Sequence, residues 1–370
     1  MTTPTAAAWL RLIRAQGLRT AQALALLRHF GELETVLQAS AAAWRKAGVE
    51  RVAPLPAEHE APVADDLAWL AADPARHLIG YTDPRYPEAL RGISSPPLAL
   101  FVVGDPALLA QPQIAVVGSR AATPQGLDNA RAFSAELVRR GLIVTSGLAL
   151  GVDGAAHRGA LDAAGASIAV CGTGLDRVYP ARHKALAHEL VRGGGALVSE
   201  LAPGAGALRQ HFPSRNRIIS ALSLGVLVVE ASTDSGSLIT ARLAAEQGRE
   251  VFAIPGSIHN PLARGCHRLI RDGAKLVESV DDILLELAPR LGAWLREAPS
   301  AAPDARAAAP ERLDPEARQL LALLGDAPQT IDALVARSGL SAATVNAALL
   351  GLELAGRVAM HGAGYQRLAD

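Results

Sequence analysis

The 370-residue sequence predicts an α/β protein: a doubly wound parallel sheet, with a helical domain before it and a winged helix after it. Two patterns carry this prediction. Short apolar runs alternate with helical segments from about residue 114 to 277, which is typical of parallel strands covered by helices on both faces. A helix-turn-helix pattern followed by a hairpin pattern then fills residues 313–370, as in a winged helix.

Residues 1–72 are predicted to form the helical domain. Apolar residues recur there at helical spacing, and a glycine follows each stretch as a stop signal. The stretches are Trp9–Ile13, Ala21–Phe30 and Thr35–Trp44, and the glycines are Gly17, Gly31 and Gly48. Such a domain is either a DNA-binding module of the SAM or helix-hairpin-helix type or a plain packing domain, and the sequence leaves both open.

Residues 73–290 are predicted to form the sheet domain, which is Rossmann-like in its alternation of strands and helices. The expected strands are Ile114–Val117, Leu142–Thr145, Ser167–Cys171, Ala196–Glu200, Val226–Glu230, Glu250–Ile254 and, at the edge, Lys275–Val277. Ligands of such sheets bind beyond the carboxyl ends of the strands. Functional residues are therefore expected in the loops that follow the strands.

Residues 291–312 are rich in alanine, proline and charge and are predicted to be a linker to the winged-helix domain at 313–370. Helices are expected at Pro315–Leu324, Ile331–Ser338 and Ala342–Ala355, with a turn at Gly339 and hairpin strands at Arg357–Met360 and Tyr365–Leu368. The helix in the position that reads DNA, Ser341–Ala355, contains no lysine or arginine. Because a groove reader needs basic anchors, an accessory or protein-interaction role is favoured.

The composition restricts the kinds of partner. The 36 basic and 36 acidic residues cancel, so a nucleic-acid site has to be a local patch. Two cysteines cannot form a disulfide framework, and no apolar run reaches the length of a membrane span. We expect a soluble, cytoplasmic protein with no membrane contact, no metal and no cofactor.

The segment Phe212–Ser220 is the most informative in the chain. Its donors Arg215, Asn216 and Arg217 stand where a loop is expected to become a helix, and residues 201–229 contain no aspartate or glutamate. Helix starts expose free N–H groups and attract anions, and guanidinium groups suit phosphate. No nucleophile–base pair accompanies these donors. The segment therefore predicts a site that holds phosphate without cleaving it.

Two further loops on the same edge of the sheet have features of anion sites. Gly118-Ser119-Arg120 follows the first predicted strand, where glycine allows close approach and the serine and arginine offer donors. Ser235-Gly236 opens the helix after the fifth strand and supplies a hydroxyl and free N–H groups. An ordinary helix cap explains the second loop equally well.

Other chemistries are less well supported. Gly172 and Gly174 suggest a dinucleotide fingerprint, but Arg177 occupies its third glycine position and the motif follows the wrong strand. Five acids on the predicted edge could gather a magnesium ion, although capping and pairing with arginines is the favoured interpretation: Asp153, Asp176, Glu200, Glu230 and Asp234. The histidines show no metal-ligand spacing.

Six collinear motifs resemble the DNA-processing protein A family, also called DprA or Smf. They are Val117-Gly-Ser-Arg120, Ser146-Gly-Leu-Ala-Leu-Gly-Val-Asp153, Gly174-Leu-Asp-Arg-Val-Tyr-Pro180, Phe212-Pro-Ser-Arg-Asn-Arg-Ile-Ile219, Ser235-Gly-Ser-Leu-Ile-Thr-Ala241 and Gly248-Arg-Glu-Val-Phe-Ala-Ile-Pro-Gly256. The resemblance implies a single-stranded DNA-binding recombination mediator without catalysis. Such a protein protects incoming DNA in natural transformation, loads RecA recombinase onto it and forms a homodimer through the Rossmann-like domain.

The resemblance also implies where DNA binds. The phosphate pocket would be lined by Gly118, Ser119, Arg120, Ser146, Gly147, Arg215 and Asn216. Lys184 and Arg209 would extend the basic surface, and Phe212 is the candidate for base stacking. His183 and His267 stand where the family usually has asparagine, and we expect both to keep hydrogen bonding.

The main alternative is a nucleotide-hydrolysing enzyme of the lysine-decarboxylase-like phosphoribohydrolase type, which uses a similar scaffold. Those enzymes carry a catalytic glutamate after a glycine-rich loop at the fifth strand. Here Ile239, Thr240 and Ala241 fill the positions where that acid should fall, which favours binding over catalysis. A transcription factor that binds through the winged helix is disfavoured by the charge of that helix.

Overall fold

The structure is a computed structural model that describes residues 3–15, 17–49, 60–297, 315–324, 329–342, 344–345, 348–349, 352, 358–361 and 364–367. Two compact units make up the chain, Met1–Arg296 and Glu297–Asp370. Among the described residues, no helix combines the length and the apolarity that a membrane crossing needs.

The first unit begins with short helices. They are α1 (Thr3–Ile13), α2 (Thr20–Phe30), α3 (Leu33–Gln38), α4 (Ala41–Lys46) and α5 (Glu60–Ala71). All three predicted glycine stops have a positive φ, a conformation that glycine adopts without strain. The helix predicted over Thr35–Trp44 is interrupted, because Ser40 caps a new helix by accepting a hydrogen bond from the Ala43 N–H at 3.2 Å.

These helices pack against the sheet in one shared hydrophobic core. Trp9 and Trp44 are buried there together with Phe101 of the sheet. Arg14, which directly follows α1, and Asp66 of α5 add a two-point ion pair with distances of 2.6 and 2.7 Å. The packing interpretation of residues 1–72 is therefore supported, whereas their DNA-binding role and the boundary at residue 72 stay predictions.

Nine strands form one sheet. They are β1 (Arg76–Gly80), β2 (Ala99–Gly104), β3 (Gln113–Val117), β4 (Ile143–Ser146), β5 (Ser167–Val170), β6 (Ala196–Ser199), β7 (Gly225–Val228), β8 (Glu250–Ala253) and β9 (Lys275–Leu276). Their order is β1-β2-β6-β5-β4-β3-β7-β8-β9. Every pair of neighbouring strands within the group β3 to β9 is parallel, which confirms the predicted doubly wound sheet.

Strands β1 and β2 were not predicted. They pair antiparallel, and β2 also pairs antiparallel with β6. The signal for β2 was present, because its run Ala-Leu-Phe-Val-Val is apolar, β-branched in part and bounded by proline and glycine. β1 has a weaker signal, since its only fully buried apolar pair, Leu78 and Ile79, follows two polar residues.

Helices cover both faces of the sheet and send the connecting loops to its carboxyl edge. They are α6 (Glu88–Arg91), α7 (Pro124–Arg139), α8 (Val152–Asp162), α9 (Lys184–Arg192), α10 (His211–Leu222), α11 (Gly236–Glu246), α12 (Arg264–Arg271) and α13 (Val280–Glu297). Alternating strand residues such as Ala115 and Val116 enter separate apolar clusters on the two faces. The predicted anion-binding loops therefore share one edge.

The second unit contains the parts expected of a winged helix. They are α14 (Pro315–Leu323), α15 (Ile331–Ser338) and the antiparallel hairpin β10 (Val358–His361) and β11 (Gly364–Arg367). Thr330 caps α15, and Gly339 ends it with a φ of 69°. Helix α13 continues to Glu297, seven residues into the segment predicted as a linker at 291–312. The rest of that linker and much of the helix predicted at Ala342–Ala355 lie outside the described residues.

The contact between α1 and β1 gives a stability prediction. A Cβ at Gly80 would lie 2.1 Å from Nε1 of Trp9, whereas a Cβ at Gly92 would meet nothing within 4 Å. Gly80→Ala should lower the free energy of unfolding by about 1–3 kcal/mol, because overpacking forces the indole to shift. Urea denaturation of Gly80→Ala and the control Gly92→Ala measures it, and equal midpoints would contradict the prediction.

Candidate nucleic-acid interface

Arg215 is buried at the carboxyl edge of the sheet. Helix α10 begins at His211, so Arg215 lies in its second turn, which corrects the expectation that the polar donors occupy the helix start. Its side chain reaches the end of β5, where Nη1 donates to the Val170 carbonyl at 2.5 Å. Nη2 lies 3.9 Å from Oδ2 of Asp153, and Arg215 is only 5% exposed. The cation therefore belongs to the floor of the site.

The loop after β4 is shaped around this guanidinium. A Cβ at Gly147 would lie 1.9 Å from Nη1 of Arg215, so any other residue would displace the group. Asp153 holds the loop by accepting from the Gly147 N–H at 3.1 Å. The next residue, Leu148, has a φ of 60°, which is strained for a branched side chain, and its carbonyl contacts Nδ1 of His183 at 2.9 Å.

Arg215 and Asp153 only partly compensate each other. Burial raises the pKa of Asp153 and lowers the pKa of Arg215, because each charge has lost water. Each charge opposes the other's shift, but at 3.9 Å this pair is looser than a hydrogen-bonded ion pair. Nε of Arg215 is buried and finds no acceptor among the described residues. The guanidinium therefore keeps a positive charge that its surroundings neutralise only in part.

Arg120 lies close to this buried charge, as the sequence predicted. Its guanidinium carbon is 5.7 Å from the centre of the Phe212 ring, and its charge contributes to lowering the pKa of Arg215. Tyr179 also contacts Phe212, and the centres of the two rings are 5.4 Å apart. We call Arg120, Phe212 and Tyr179 the aromatic platform. The loops after β3 and before α10 thus meet in one site.

Tyr179 was not predicted to be a residue of the site. It is 51% exposed, so much of its ring is available to a ligand. A signal existed, because aromatic residues make up only 4% of the chain and Tyr179 lies in one of the family motifs. Its position next to Phe212 depends on a contact between residues far apart in the chain, which no local pattern shows.

A cavity of about 420 Å³, the Arg215 cavity, opens beside the buried guanidinium. It is lined by Ser95, Cys171, Glu200, Leu201, His211, Ser214, Arg215 and Arg217. Arg217 was expected to donate hydrogen bonds to phosphate. Its guanidinium instead binds both carboxylate oxygens of Glu200, at 2.6 and 2.8 Å. Asn216 is half-buried, and its side chain makes no hydrogen bond within the described part of the chain.

Ser119 and Ser146 have structural partners. The Ser119 N–H donates to the Glu230 carbonyl at 2.6 Å, and its hydroxyl accepts from the Ala121 N–H at 3.1 Å. The Ser146 hydroxyl donates to the Val116 carbonyl at 2.6 Å. Gly118 is needed for packing, since its Cβ would lie 2.7 Å from Cγ2 of Val152. These residues shape the loops around the site, and direct phosphate contact by them stays a prediction.

The acids near the edge have the partners that the favoured interpretation assigned to them. Glu230 accepts from the N–H and hydroxyl of Thr123 at 2.9 and 2.7 Å and so holds the residue that caps α7. Asp176 pairs with Arg177 at 2.7 Å. Glu200 pairs with Arg217, and Asp153 lies near Arg215. The capping and pairing roles are therefore confirmed for four of the five acids, and the fifth, Asp234, is exposed.

The remaining predicted residues lie away from the Arg215 cavity. Ser235 and Gly236 begin α11, and Ser235 caps it and lines a separate cavity of about 560 Å³. Lys184 begins α9 and lines a groove of about 830 Å³. Arg209 is exposed on the loop before α10. Both histidine replacements keep hydrogen bonds, since Nε2 of His267 lies 3.0 Å from the Gly256 carbonyl.

Fold and site together define a Rossmann-like α/β protein with a buried cation and an aromatic platform suited to a nucleic-acid strand. The chain belongs to the DNA recombination-mediator protein A family, whose model matches residues 77–288. Residues 302–364 match the DprA winged helix domain.

Relatives and solved structures agree with this membership. Protein Smf of Escherichia coli is 46% identical over 311 residues, covering 83% of this chain and 81% of the relative. The DNA processing protein DprA of Streptococcus pneumoniae is 50% identical over 208 residues, covering 55% and 72%. An X-ray structure of DNA processing protein A from that organism aligns with a TM-score of 0.63 and 37% identity, covering 74% of this chain and 95% of that one.

A second solved structure concerns the single-stranded DNA binding mode of DNA processing protein A from Helicobacter pylori. It aligns with a TM-score of 0.51 and 29% identity and covers 55% of this chain and 94% of that one. The family and the DNA-processing class of its members are thereby established for this chain.

His157 is a buried neutral group beneath the site. Its Nδ1 lies 2.8 Å from the Ser167 hydroxyl, and its Nε2 has no partner among the described residues. Burial, together with the proximity of His183 and Arg215, lowers the pKa of His157 to about 3. The folded protein therefore keeps this imidazole neutral where the unfolded chain would protonate it.

This difference predicts a dependence of stability on pH. The stability that the neutral His157 contributes is complete above the ordinary histidine pKa of about 6.5 and is lost as pH falls toward its folded pKa of about 3. Between about pH 6 and pH 4, wild type should lose roughly 1.4 kcal/mol per pH unit more than His157→Gln. Urea denaturation across pH measures this difference, and parallel curves for the two proteins would contradict it.

Proposed function

We propose that this protein is a single-stranded DNA-binding recombination mediator that works in the cytoplasm without catalysing a reaction. It protects incoming DNA during natural transformation and loads RecA onto the strand. The observation that carries the proposal is the buried Arg215 guanidinium, which has an unpartnered Nε and lines an open cavity. A backbone phosphate in this cavity would neutralise a cation whose counter-ion lies 3.9 Å away, and guanidinium groups bind phosphate through paired hydrogen bonds.

The aromatic platform supports a single strand as the ligand. Tyr179 and Phe212 form a pair of aromatic rings next to Arg120, which is itself exposed. Unpaired bases stack on such rings irrespective of sequence, while the arginines hold the backbone. A duplex offers no free base faces within its stack. Binding is therefore expected to prefer single strands, to ignore sequence and to weaken with salt.

The positions of the acids support binding rather than nucleotide hydrolysis. Thr240 and Ala241, which stand where the related hydrolases carry their catalytic glutamate, are buried at 1% exposure in α11. The nearby Glu230 is engaged by Thr123 and by Asn260. A general acid or base has to reach the substrate with an available carboxyl group. Incubation with nucleoside monophosphates tests this proposal, and enzyme-dependent release of free base would overturn it.

The homodimer is proposed to form through the Rossmann-like domain. Leu276 on the edge strand β9 and Leu285 on α13 are 48% and 79% exposed, and the neighbouring Lys275 and Glu286 join these elements by an ion pair of 3.2 Å. Exposed apolar side chains at a sheet edge favour contact with another chain. Dimerisation would place two DNA sites on one particle and raise affinity through multivalency.

The first functional prediction concerns the aromatic platform. Arg120→Ala should weaken single-strand binding and reduce the slope of log affinity against log salt by about 0.7, the value for one phosphate contact. Phe212→Ala should weaken binding by about 5- to 150-fold, because it removes about 1–3 kcal/mol of stacking, and Phe212→Trp should retain most of the affinity. Gel-shift titration of single- and double-stranded oligonucleotides across salt provides the measurement.

Arg139→Ala is the matched control for Arg120→Ala. Arg139 is an exposed arginine at the end of α7, and its loss removes the same charge away from the site. Arg215→Lys adds a test that keeps the buried charge and removes the planar fork, with thermal unfolding to verify the fold. If the Arg120, Phe212 and Arg215 variants all bind single strands with wild-type affinity, DNA binds elsewhere on the protein.

A second prediction concerns the dimer and RecA. Leu276→Asp with Leu285→Asp should halve the mass in solution, because each buried carboxylate would remain unpaired at the interface. Light scattering measures the mass. RecA loading is measured separately as an increase in DNA-dependent ATP hydrolysis by RecA on single strands covered by single-strand-binding protein. If the double variant has the same mass as wild type, the proposed interface is wrong. If adding the wild-type protein leaves the rate of ATP hydrolysis by RecA unchanged, the proposal of RecA loading is wrong.

A further inference from the structure

A basic groove runs along α9, on the side of the sheet where helix α5 packs. Lys184, His188 and Arg192 are spaced four residues apart, so they lie on one face of α9, and all three are exposed. Arg76 and Trp69 form part of the opposite wall, and Arg177 lies at the end nearest the carboxyl edge. The groove has a volume of about 830 Å³.

The charge of this groove is positive. Asp73 and Asp176 are the acids among the residues that line it. Asp176 is already paired with Arg177, and Asp73 accepts a hydrogen bond from the Ala75 N–H at 2.9 Å. The three exposed residues on α9 make no ion pair or hydrogen bond within the described chain through their side chains. These side chains line the groove, and none of their donors has an acceptor among the described residues.

Arg76 is held in a fixed position on the opposite wall. Its guanidinium carbon lies 4.6 Å from the centre of the Trp69 ring, and Nη1 donates to the Trp69 carbonyl at 2.8 Å. These two contacts fix the plane of the guanidinium while its remaining N–H groups stay available. A fixed arginine loses little conformational entropy when it binds phosphate, which is an advantage over a mobile lysine.

The groove is continuous with the proposed DNA site along the chain. Arg177 and Val178 line the groove, and the next residue, Tyr179, belongs to the aromatic platform. Lys184 begins α9 five residues later at the same edge. A strand that leaves the platform past Tyr179 therefore meets Arg177 and Lys184 before it meets Arg192.

We propose that this basic groove is a second track for the same single strand, which holds the backbone phosphates next to the nucleotide in the Arg215 cavity. The proposal rests on the proposed function. From Lys184 to Arg192, α9 rises about 12 Å. At the phosphate spacing of about 3.4 Å along one strand of a duplex, this length accommodates about three phosphates. His188 and Arg192 bind along one side of the backbone, and Arg76 binds along the other.

The test compares short and long oligonucleotides bound to the full-length protein. Single strands of about 4 and about 20 nucleotides bracket the site sizes of single-strand binders. The double variant His188→Ala/Arg192→Ala should bind the short strand as wild type does, because that strand fills only the Arg215 cavity and the platform. It should bind the long strand more weakly, with a salt slope lower by about 0.7 for each phosphate that the variant no longer binds.

Two controls separate this result from a change in fold or in general charge. Arg139→Ala removes an exposed arginine outside the groove and should leave the affinities for both strands unchanged. Arg192→Lys keeps the positive charge in the groove and should retain most of the wild-type affinity for the long strand. Hydrogen exchange of α9 in the wild type should slow with the long strand and not with the short one. The hydrogen-exchange measurement uses the wild type alone and therefore does not depend on the stability of any variant.

The outcomes distinguish the groove from the proposed function. If wild type binds neither strand, the proposed function fails and the groove proposal fails with it. If wild type binds both strands and the double variant keeps the wild-type affinity and salt slope for the long one, only the groove proposal is wrong. Equal weakening for both lengths also overturns it, because the groove residues would then act on the Arg215 cavity.

Discussion

The seat of the Arg215 guanidinium is the constraint on which the site depends. The group fits only because Gly147 has no side chain, and it is fixed by its hydrogen bond to the Val170 carbonyl at the end of β5. Since β4 and β5 are neighbours in the parallel sheet, their carboxyl ends meet under α10 and create this seat. The loop after β3 then brings Arg120 to the same place and completes the platform with Phe212.

This arrangement has costs that the surrounding structure has to offset. A buried arginine with a counter-ion at 3.9 Å is incompletely compensated, and Leu148 holds a strained backbone conformation nearby. His157 remains neutral and buried below the same loop. Strain and buried charge are retained at sites where function needs them, and the deep apolar clusters on both faces of the sheet keep the fold stable despite them.

The sheet was largely predictable, and the errors have specific causes. The parallel strands carry continuous apolar runs between glycine turns, because both of their faces are buried. β1 was missed since its run is short and begins with Arg76 and His77, and the single helix expected over Thr35–Trp44 was wrong because Ser40 competes as a cap. The proximity of Arg120 to Arg215 was predicted correctly, because both follow strands that end at one edge.

The sequence by itself determined the alternation of helices with strands β3 to β9, the cationic loops and the family, since these follow from local periodicity and motifs. Only the tertiary structure decided which cations are available. Arg215 and Arg217 stand two residues apart in one helix, yet Arg217 is bound by Glu200 while Arg215 retains an unpartnered Nε. Tyr179 likewise joins Phe212 only in the fold. Partners of a side chain are set by residues distant in sequence, and no local pattern contains that information.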